Sequence, residues 1–299
     1  MPFHLSRRRF LATSAASSLV FASVSRGAGA EGPPDRLALL SDTHIAADPE
    51  FVVRETHLAN NLRQAMKQVA QLADKPAALL LHGDAAYLKG EIKDYETLGK
   101  LLKPAVEANL PLHILMGNHD NRDNFAEMFG KLAKTSLLES RQVAVVEGQH
   151  ANWFLLDSLV KTNSTPGLLG EQQLAWLAKA LDERASKPAI ISVHHNPQWK
   201  VDEKTKIGGI QDTEGLFAAL ESRKQVKAVF FGHTHAWSVK ERGGIHLVNL
   251  PPVAYPFNKT APSGWVEAVV GTTGMQLTLH ALAEKHPQQG EKHTLLWRT

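Results

Sequence analysis

Aspartate, histidine and asparagine recur in five short clusters of this sequence, each just after an apolar run. Leu37 to Leu40 leads into Ser41-Asp42-Thr43-His44, and Ala78 to Leu81 leads through His82 into Gly83-Asp84. Leu112 to Met116 leads into Gly117-Asn118-His119-Asp120. Ala189 to Val193 leads into His194-His195, and Ala228 to Phe231 into Gly232-His233-Thr234-His235. Carboxylate oxygens, imidazole nitrogens and an amide carbonyl suit divalent Mn, Fe, Zn, Co or Ni. The inventory is too rich for one tetrahedral zinc, which takes about four ligands. Seven such side chains with one shared carboxylate fit a centre of two divalent metal ions. Two ions about 3.5–4 Å apart clamp the attacking and leaving oxygens of an in-line displacement, and they lower the pKa of bound water toward ~7.

The elements that must position these clusters are legible as patterns. The five apolar runs read as strands, joined by further strand candidates at Trp153 to Leu156, Ile245 to Val248 and Val266 to Val270. Helical spacing shows at Leu62, Ala65, Met66, Val69 and Leu72, and again at Leu174, Leu177, Ala178 and Leu181 after Gly170. Strands alternating with helices predict an α/β core. Ligands of such sheets bind outside the carboxyl ends of the strands, so parallel strands would bring all five clusters to one edge. Glycines before Asp84, Asn118 and His233 allow tight turns into that edge.

The ordered blocks D-x-H, G-D, G-N-H-D, H and G-H-x-H resemble the calcineurin-like metallophosphoesterase superfamily, from about Arg36 to about Val248. Leu156-Asp157-Ser158 and Gly167-Leu168-Leu169-Gly170-Glu171-Gln172-Gln173-Leu174 are similar to its class III cyclic nucleotide and glycerophosphodiester phosphodiesterase branch. The resemblance implies a four-layer α/β/β/α sandwich. It implies that Asp42, His44 and His235 hold one metal, that Asn118, His194 and His233 hold a second, and that Asp84 bridges both. It also implies that Asn118 meets the phosphoryl group, and that His119, just outside the metal shell, contacts a phosphoryl oxygen or helps to protonate the leaving group. Hydroxide generated at the metals would attack phosphorus. The loop carrying Tyr255 would line the substrate pocket, and His195, beside a ligand, could reach substrate or support the metal shell.

Other polar residues have plainer readings. His82, His113, His150 and His246 are expected to be structural histidines with local partners, and His57 a surface residue at a helix start. Asp120 could orient His119 or cap the next helix. Asp157 reads as a turn or cap residue. Lys89, Asn121 and Arg122 follow ligand blocks but read as solvated charge and polarity.

The composition bounds the function. The 299 residues are 43% hydrophobic and 21% charged, with no cysteine. Disulfide scaffolds, thiolate metal sites, a Cys nucleophile and a lipoprotein anchor are therefore excluded. No apolar run approaches the ~20 residues of a membrane span. Ser6-Arg7-Arg8-Arg9-Phe10-Leu11 precedes an Ala/Ser-rich stretch ending at Ala28-Gly29-Ala30, which resembles a twin-arginine export signal. The expected layout is a signal over 1–30, a phosphoesterase domain over 31–283, and a peripheral tail over 284–299. Cleavage after Ala30, the twin-arginine machinery as partner and a periplasmic location follow from that expectation. The net charge of +3 rests on the signal: without Arg7, Arg8, Arg9 and Arg26, 29 basic side chains face 30 acidic ones. That balance disfavours nucleic acid as a partner. P-loop, H-E-x-x-H and G-x-S-x-G motifs are absent. The leading expectation is an exported phosphodiesterase acting on a small phosphoester. The alternatives are a phosphomonoesterase or nucleotide pyrophosphatase on the same centre, or a binding protein without turnover.

Overall fold

The computed structural model describes residues 35–130, 136–199 and 208–299, so the expected export signal lies outside the described residues. Three of the apolar runs form parallel neighbours in one sheet: β1 (Asp35–Leu40), β4 (Ala78–Leu81) and β5 (Leu112–Ile114). On its other side β1 pairs antiparallel with β12 (Gly264–Val270), followed by β13 (Gly274–Ala281) and β14 (Lys292–Leu296). The order is β14-β13-β12-β1-β4-β5. The remaining runs lie in a second six-stranded sheet. There β7 (Asn152–Leu155), β8 (Ala189–Ser192), β9 (Val226–Phe231) and β11 (Ile245–Asn249) run parallel. Antiparallel edges are β6 (Ala144–Glu147) and β10 (Ser238–Arg242). A short hairpin, β2 (Val52–Val53) and β3 (Thr56–His57), stands apart.

Alternation along the strands builds the layers. In β1, Leu37 and Leu39 pack between the sheets with Trp153, Ile190 and Phe230. Ala38 and Leu40 face the other way, against α1 (Leu58–Ala70) and α2 (Ile92–Glu107). On the second sheet, Phe154, Ile191 and Val229 turn outward onto α4 (Glu171–Asp182) and α5 (Thr213–Glu221). Three apolar layers thus separate four layers of secondary structure, the expected α/β/β/α sandwich. In α1 the stripe Leu62, Ala65, Met66 and Val69 is buried as its spacing predicts, and His57 caps the helix by accepting from the Asn60 N–H at 3.3 Å. Among the described residues no helix is long and apolar enough to cross a membrane.

Several elements escape a reading based on apolar runs. In β13, buried Met275, Leu277, Leu279 and Ala281 alternate with Gln276, Thr278 and His280, a half-buried pattern without a run. Helix α2 starts at a capping box made by Glu91 and Asp94, and α3 (Arg122–Met128) starts at the Asn121 side chain. Residues 284–299 are not a tail beside the domain. They supply β14, whose Leu295 is buried between the sheets, with Trp297 packed against the same core. Their polarity reflects an edge strand that exposes most of its side chains.

Candidate metal centre

The parallel strands of both sheets end at the same place, so the five clusters converge there from two sheets, not from one. Asp42, His44 and His235 form one group of potential metal-holding atoms, and Asp84, His194 and His233 another. A third group, His44, Asp84 and His119, joins them. Within each group the donor atoms lie within 4.8 Å of one another. Nε2 of His44 is 3.0 Å from Nε2 of His235. The Asp84 Oδ2 atom lies 3.7 Å from His44 and 3.3 Å from His194. Asn118 Oδ1 is 3.3 Å from His194 Nε2. All seven predicted ligand residues and His119 are therefore assembled in one cluster.

The rings are held from behind. The Nδ1 atoms of His194 and His235 face the carbonyls of His82 (2.8 Å) and Tyr255, which can only accept. Each ring therefore carries its proton on Nδ1 and presents Nε2 to the cluster, the arrangement a metal-ligating histidine needs. Asp84 Oδ1 accepts the His119 backbone N–H at 2.8 Å, which leaves Oδ2 for the histidines.

The local backbone is shaped for this purpose. Asp42, His44, Asp84, His233 and His235 all have positive φ, between 46° and 67°. Gly117 must be glycine, because a Cβ there would stand 2.2 Å from the Asp84 backbone nitrogen. Asp120 neither orients His119 nor caps α3. It is fully buried and accepts from the backbone N–H groups of Ala85 (3.3 Å), Ala86 (3.2 Å) and Gly117 (2.8 Å) and from the Tyr95 hydroxyl (3.0 Å). It ties the loop after β4 to the loop after β5. Burial and the nearby Asp84 push its carboxyl up to about 6.

The electrostatics suit cations. Burial would raise the Asp42 carboxyl, but His235 and then His194 outweigh it and hold Asp42 well below the usual range. Asp84 is likewise lowered, against burial, by His194 and then His44. Burial opposes charge on His194, yet Asp84 with Asp42 lifts it to about 9. His235 rises against burial through Asp42. Burial pushes His44 down to about 3 and, with His194 beside it, His233 down to about 4. Two carboxylates thus keep protons on two of the histidines, and divalent cations would displace those protons. The donor types and their convergence fit two such ions.

The other predicted residues separate by contact. The His119 Nδ1–H donates to the Leu88 carbonyl at 2.8 Å, leaving Nε2 for the site, and its ring lies 5.2 Å from that of His44. The Tyr255 ring stacks near His44 at 5.7 Å and 18°. His195 is fully buried, with Nδ1 2.7 Å from the Ser158 hydroxyl, and so offers substrate no surface. Its ring packs 4.7 Å from that of His233, which makes it a support for that residue. Arg122 is not solvated charge. It forms a two-point pair with buried Asp157 at 2.7 and 2.8 Å. His82 is structural, between the Leu40 carbonyl and the Ser192 hydroxyl at 3.0 Å. Sequence reasoning missed Arg54 and Phe257, which border the cluster beside Tyr255. No motif marks either.

Known proteins resemble this chain in sequence and in fold. A probable cyclic nucleotide phosphodiesterase of Vesicomyosocius okutanii is 26% identical over 250 residues, covering 82% of this chain and 97% of that protein. A probable glycerophosphodiester phosphodiesterase, GpdQ, of Arcobacter nitrofigilis is 28% identical over 199 residues, covering 66% of this chain and 70% of its own. Among solved structures, a dimetal phosphatase from Danio rerio superposes with a TM-score of 0.67 at 15% identity, over 89% of this chain and 100% of that one, and so shares the fold. The calcineurin-like phosphoesterase model matches residues 35–237, the span holding all seven candidate ligands. The chain belongs to that family, and is accordingly a metal-dependent phosphoric ester hydrolase working with a pair of divalent ions.

Proposed function

We propose that this chain is a phosphodiesterase. One ion would be held by Asp42, His44 and His235 and the other by Asn118, His194 and His233, with Asp84 available to both groups. The observation that carries the two-ion part of this reading is the position of Asp84, whose Oδ2 reaches toward His44 at 3.7 Å and His194 at 3.3 Å, one from each group. When bound, the ions supply charge stabilisation at phosphorus and a lowered pKa for water. The chain's own residues do the rest. The Leu88 carbonyl holds the His119 Nδ1–H, so Nε2 is the atom that hands a proton to the departing oxygen when the ring is charged. The Asn118 amide, fixed beside His194, orients a non-bridging phosphoryl oxygen. The diester preference is supported by the relatives, which are described as phosphodiesterases. Residues 1–30 direct export through the twin-arginine route to the periplasm, on the strength of Arg7 and Arg8 in their sequence context.

The test compares bis-p-nitrophenyl phosphate with p-nitrophenyl phosphate on Mn²⁺-loaded protein. The diester is expected to be the better substrate, and a monoester preference would overturn the reading. In Asp84→Asn, turnover should fall about 10²–10³-fold, the scale of losing a charge-stabilising group. In His119→Ala, diesters with alkoxide leaving groups should lose more rate than those with p-nitrophenolate, which departs unprotonated. For export, Arg7→Lys with Arg8→Lys should retain the chain in the cytoplasmic fraction.

A further inference from the structure

The departing half of a diester needs a place, and a cleft of about 500 Å³ opens next to His119. Lys89, Glu91, Asn121, Lys161 and Asn163 are among its walls. Three of these adjoin the residues expected to meet the phosphoryl group. Lys89 follows Leu88, whose carbonyl accepts the His119 Nδ1–H at 2.8 Å. Asn121 follows His119 by two positions, and the Asn163 backbone N–H donates to the Asn118 carbonyl. A group that takes a proton from His119 therefore departs beside this cleft.

The walls favour negative charge. The Asn121 side-chain oxygen already accepts the backbone N–H groups of Asp123 and Asn124 at 3.1 Å each. The Asn124 amide donates to the Gly90 carbonyl at 2.8 Å, and the Thr162 hydroxyl to the Asp120 carbonyl at 2.8 Å. Glu91, the only acid on these walls, is committed to the capping box of α2. Lys89 and Lys161 differ from all of these. Both are exposed, and among the described residues neither pairs with a carboxylate, whereas Lys103, Lys179 and Lys259 do. Two ammonium groups against one carboxylate leave the cleft positive. A concave wall of one charge sign concentrates ligands of the opposite sign.

We propose that this cleft is a leaving-group subsite in which Lys89 and Lys161 bind a second anionic group, so that the preferred diesters carry a carboxylate or a further phosphate on the departing alcohol. This rests on the phosphodiesterase reading above. The test compares methyl 3-carboxyphenyl phosphate with its carboxamide analogue on metal-loaded protein, two diesters that differ in the charge of the leaving group. Hydrolysis breaks the bond from phosphorus to the aryl oxygen, forms one from phosphorus to a water oxygen, and places a proton on the aryl oxygen. The carboxylate is expected to have a kcat/KM about fivefold higher, the scale of two solvent-exposed ion pairs. That preference should shrink as NaCl is added, because salt screens exposed charges. Lys89→Ala combined with Lys161→Ala should bring the ratio to about one, and the corresponding pair of arginine substitutions should keep it. A purely structural role would lower both substrates together. Equal rates in the unaltered protein, or a ratio unchanged in the double alanine variant, overturn the proposal. Calorimetric titration with 3-carboxybenzylphosphonate and its carboxamide analogue, which have no ester bond to break, provides a second reading. The carboxylate should bind about fivefold tighter and lose that advantage in the double alanine variant. Equal affinities in the unaltered protein overturn the subsite. Hydrolysis of neither diester, with the carboxylate phosphonate still bound preferentially through the lysines, would count against the phosphodiesterase reading and leave the subsite standing.

Discussion

Five of the seven proposed ligands sit in the left-handed backbone region with φ of 46–67°, and none of them is glycine. Each such residue costs on the order of 1 kcal/mol or more. The cost is tolerated because it turns the side chains of successive strand ends into one volume. The motif residues themselves were legible in the sequence, because ligand types stand at recognisable spacings after apolar runs. The strain was not, since nothing in Asp42 or His235 announces a positive φ. A neighbouring residue shows how burial reads out in pH. His82 is fully buried beneath the cluster, and burial pushes its pKa down to about 4, against hydrogen bonding to the Leu40 carbonyl. The unfolded chain takes up a proton there below pH ~6.5, while the native protein stays neutral down to about 4. Stability is therefore lost as pH falls through that window, by about 2 kcal/mol between pH 7 and pH 5 from this group. Urea denaturation at the two pH values should show a smaller drop for His82→Gln than for the unaltered protein, and equal drops would contradict the assignment.

At the scale of elements, helix α2 braces the loops that carry the chemistry. The Tyr95 hydroxyl donates to Asp120 Oδ1 at 3.0 Å and accepts the Asn121 backbone N–H at 2.9 Å, so one side chain joins α2 to the start of α3 and to the loop after β5. Tyr95→Phe removes both bonds in a buried place, and leaves the Asn121 N–H without that acceptor. The expected loss is about 1–3 kcal/mol of stability, seen as a lower urea midpoint with an unchanged slope. Strand β1 and helix α1 were legible because they bury a whole run or a full stripe. Helix α2 was not, because Pro104 interrupts its later turns and its cap is a pair of acids rather than a serine or threonine. The role of Asp120 was equally hidden, because its four donors come from loop backbone after β4, from loop backbone after β5 and from a tyrosine 25 positions earlier.

At the scale of the whole molecule, two sheets close face to face, and the last strand completes one of them. β14 pairs with β13 over Lys292 to Leu296 and buries Leu295 in the apolar layer between the sheets. That contribution was illegible because an edge strand shows one buried residue among polar ones. Leu295→Ala should cost about 2–5 kcal/mol, the usual range for a buried leucine. A chain ending at Ala283 should lose more, exposing the edge of β13 and aggregating on heating. Wild-type behaviour of that truncated chain in calorimetry would show β14 to be dispensable. The sandwich matters to function because it alone brings loops from two separate sheets to one place.

The most direct test of that convergence is a titration of metal-free protein with Mn²⁺, followed together by calorimetry, by electron paramagnetic resonance and by bis-p-nitrophenyl phosphate hydrolysis. Two ions should bind per chain, with a spin-coupled signal and with activity appearing as the second site fills. Saturation at one ion, or full hydrolysis without metal, would contradict a two-metal centre built from Asp42, His44, Asp84, Asn118, His194, His233 and His235.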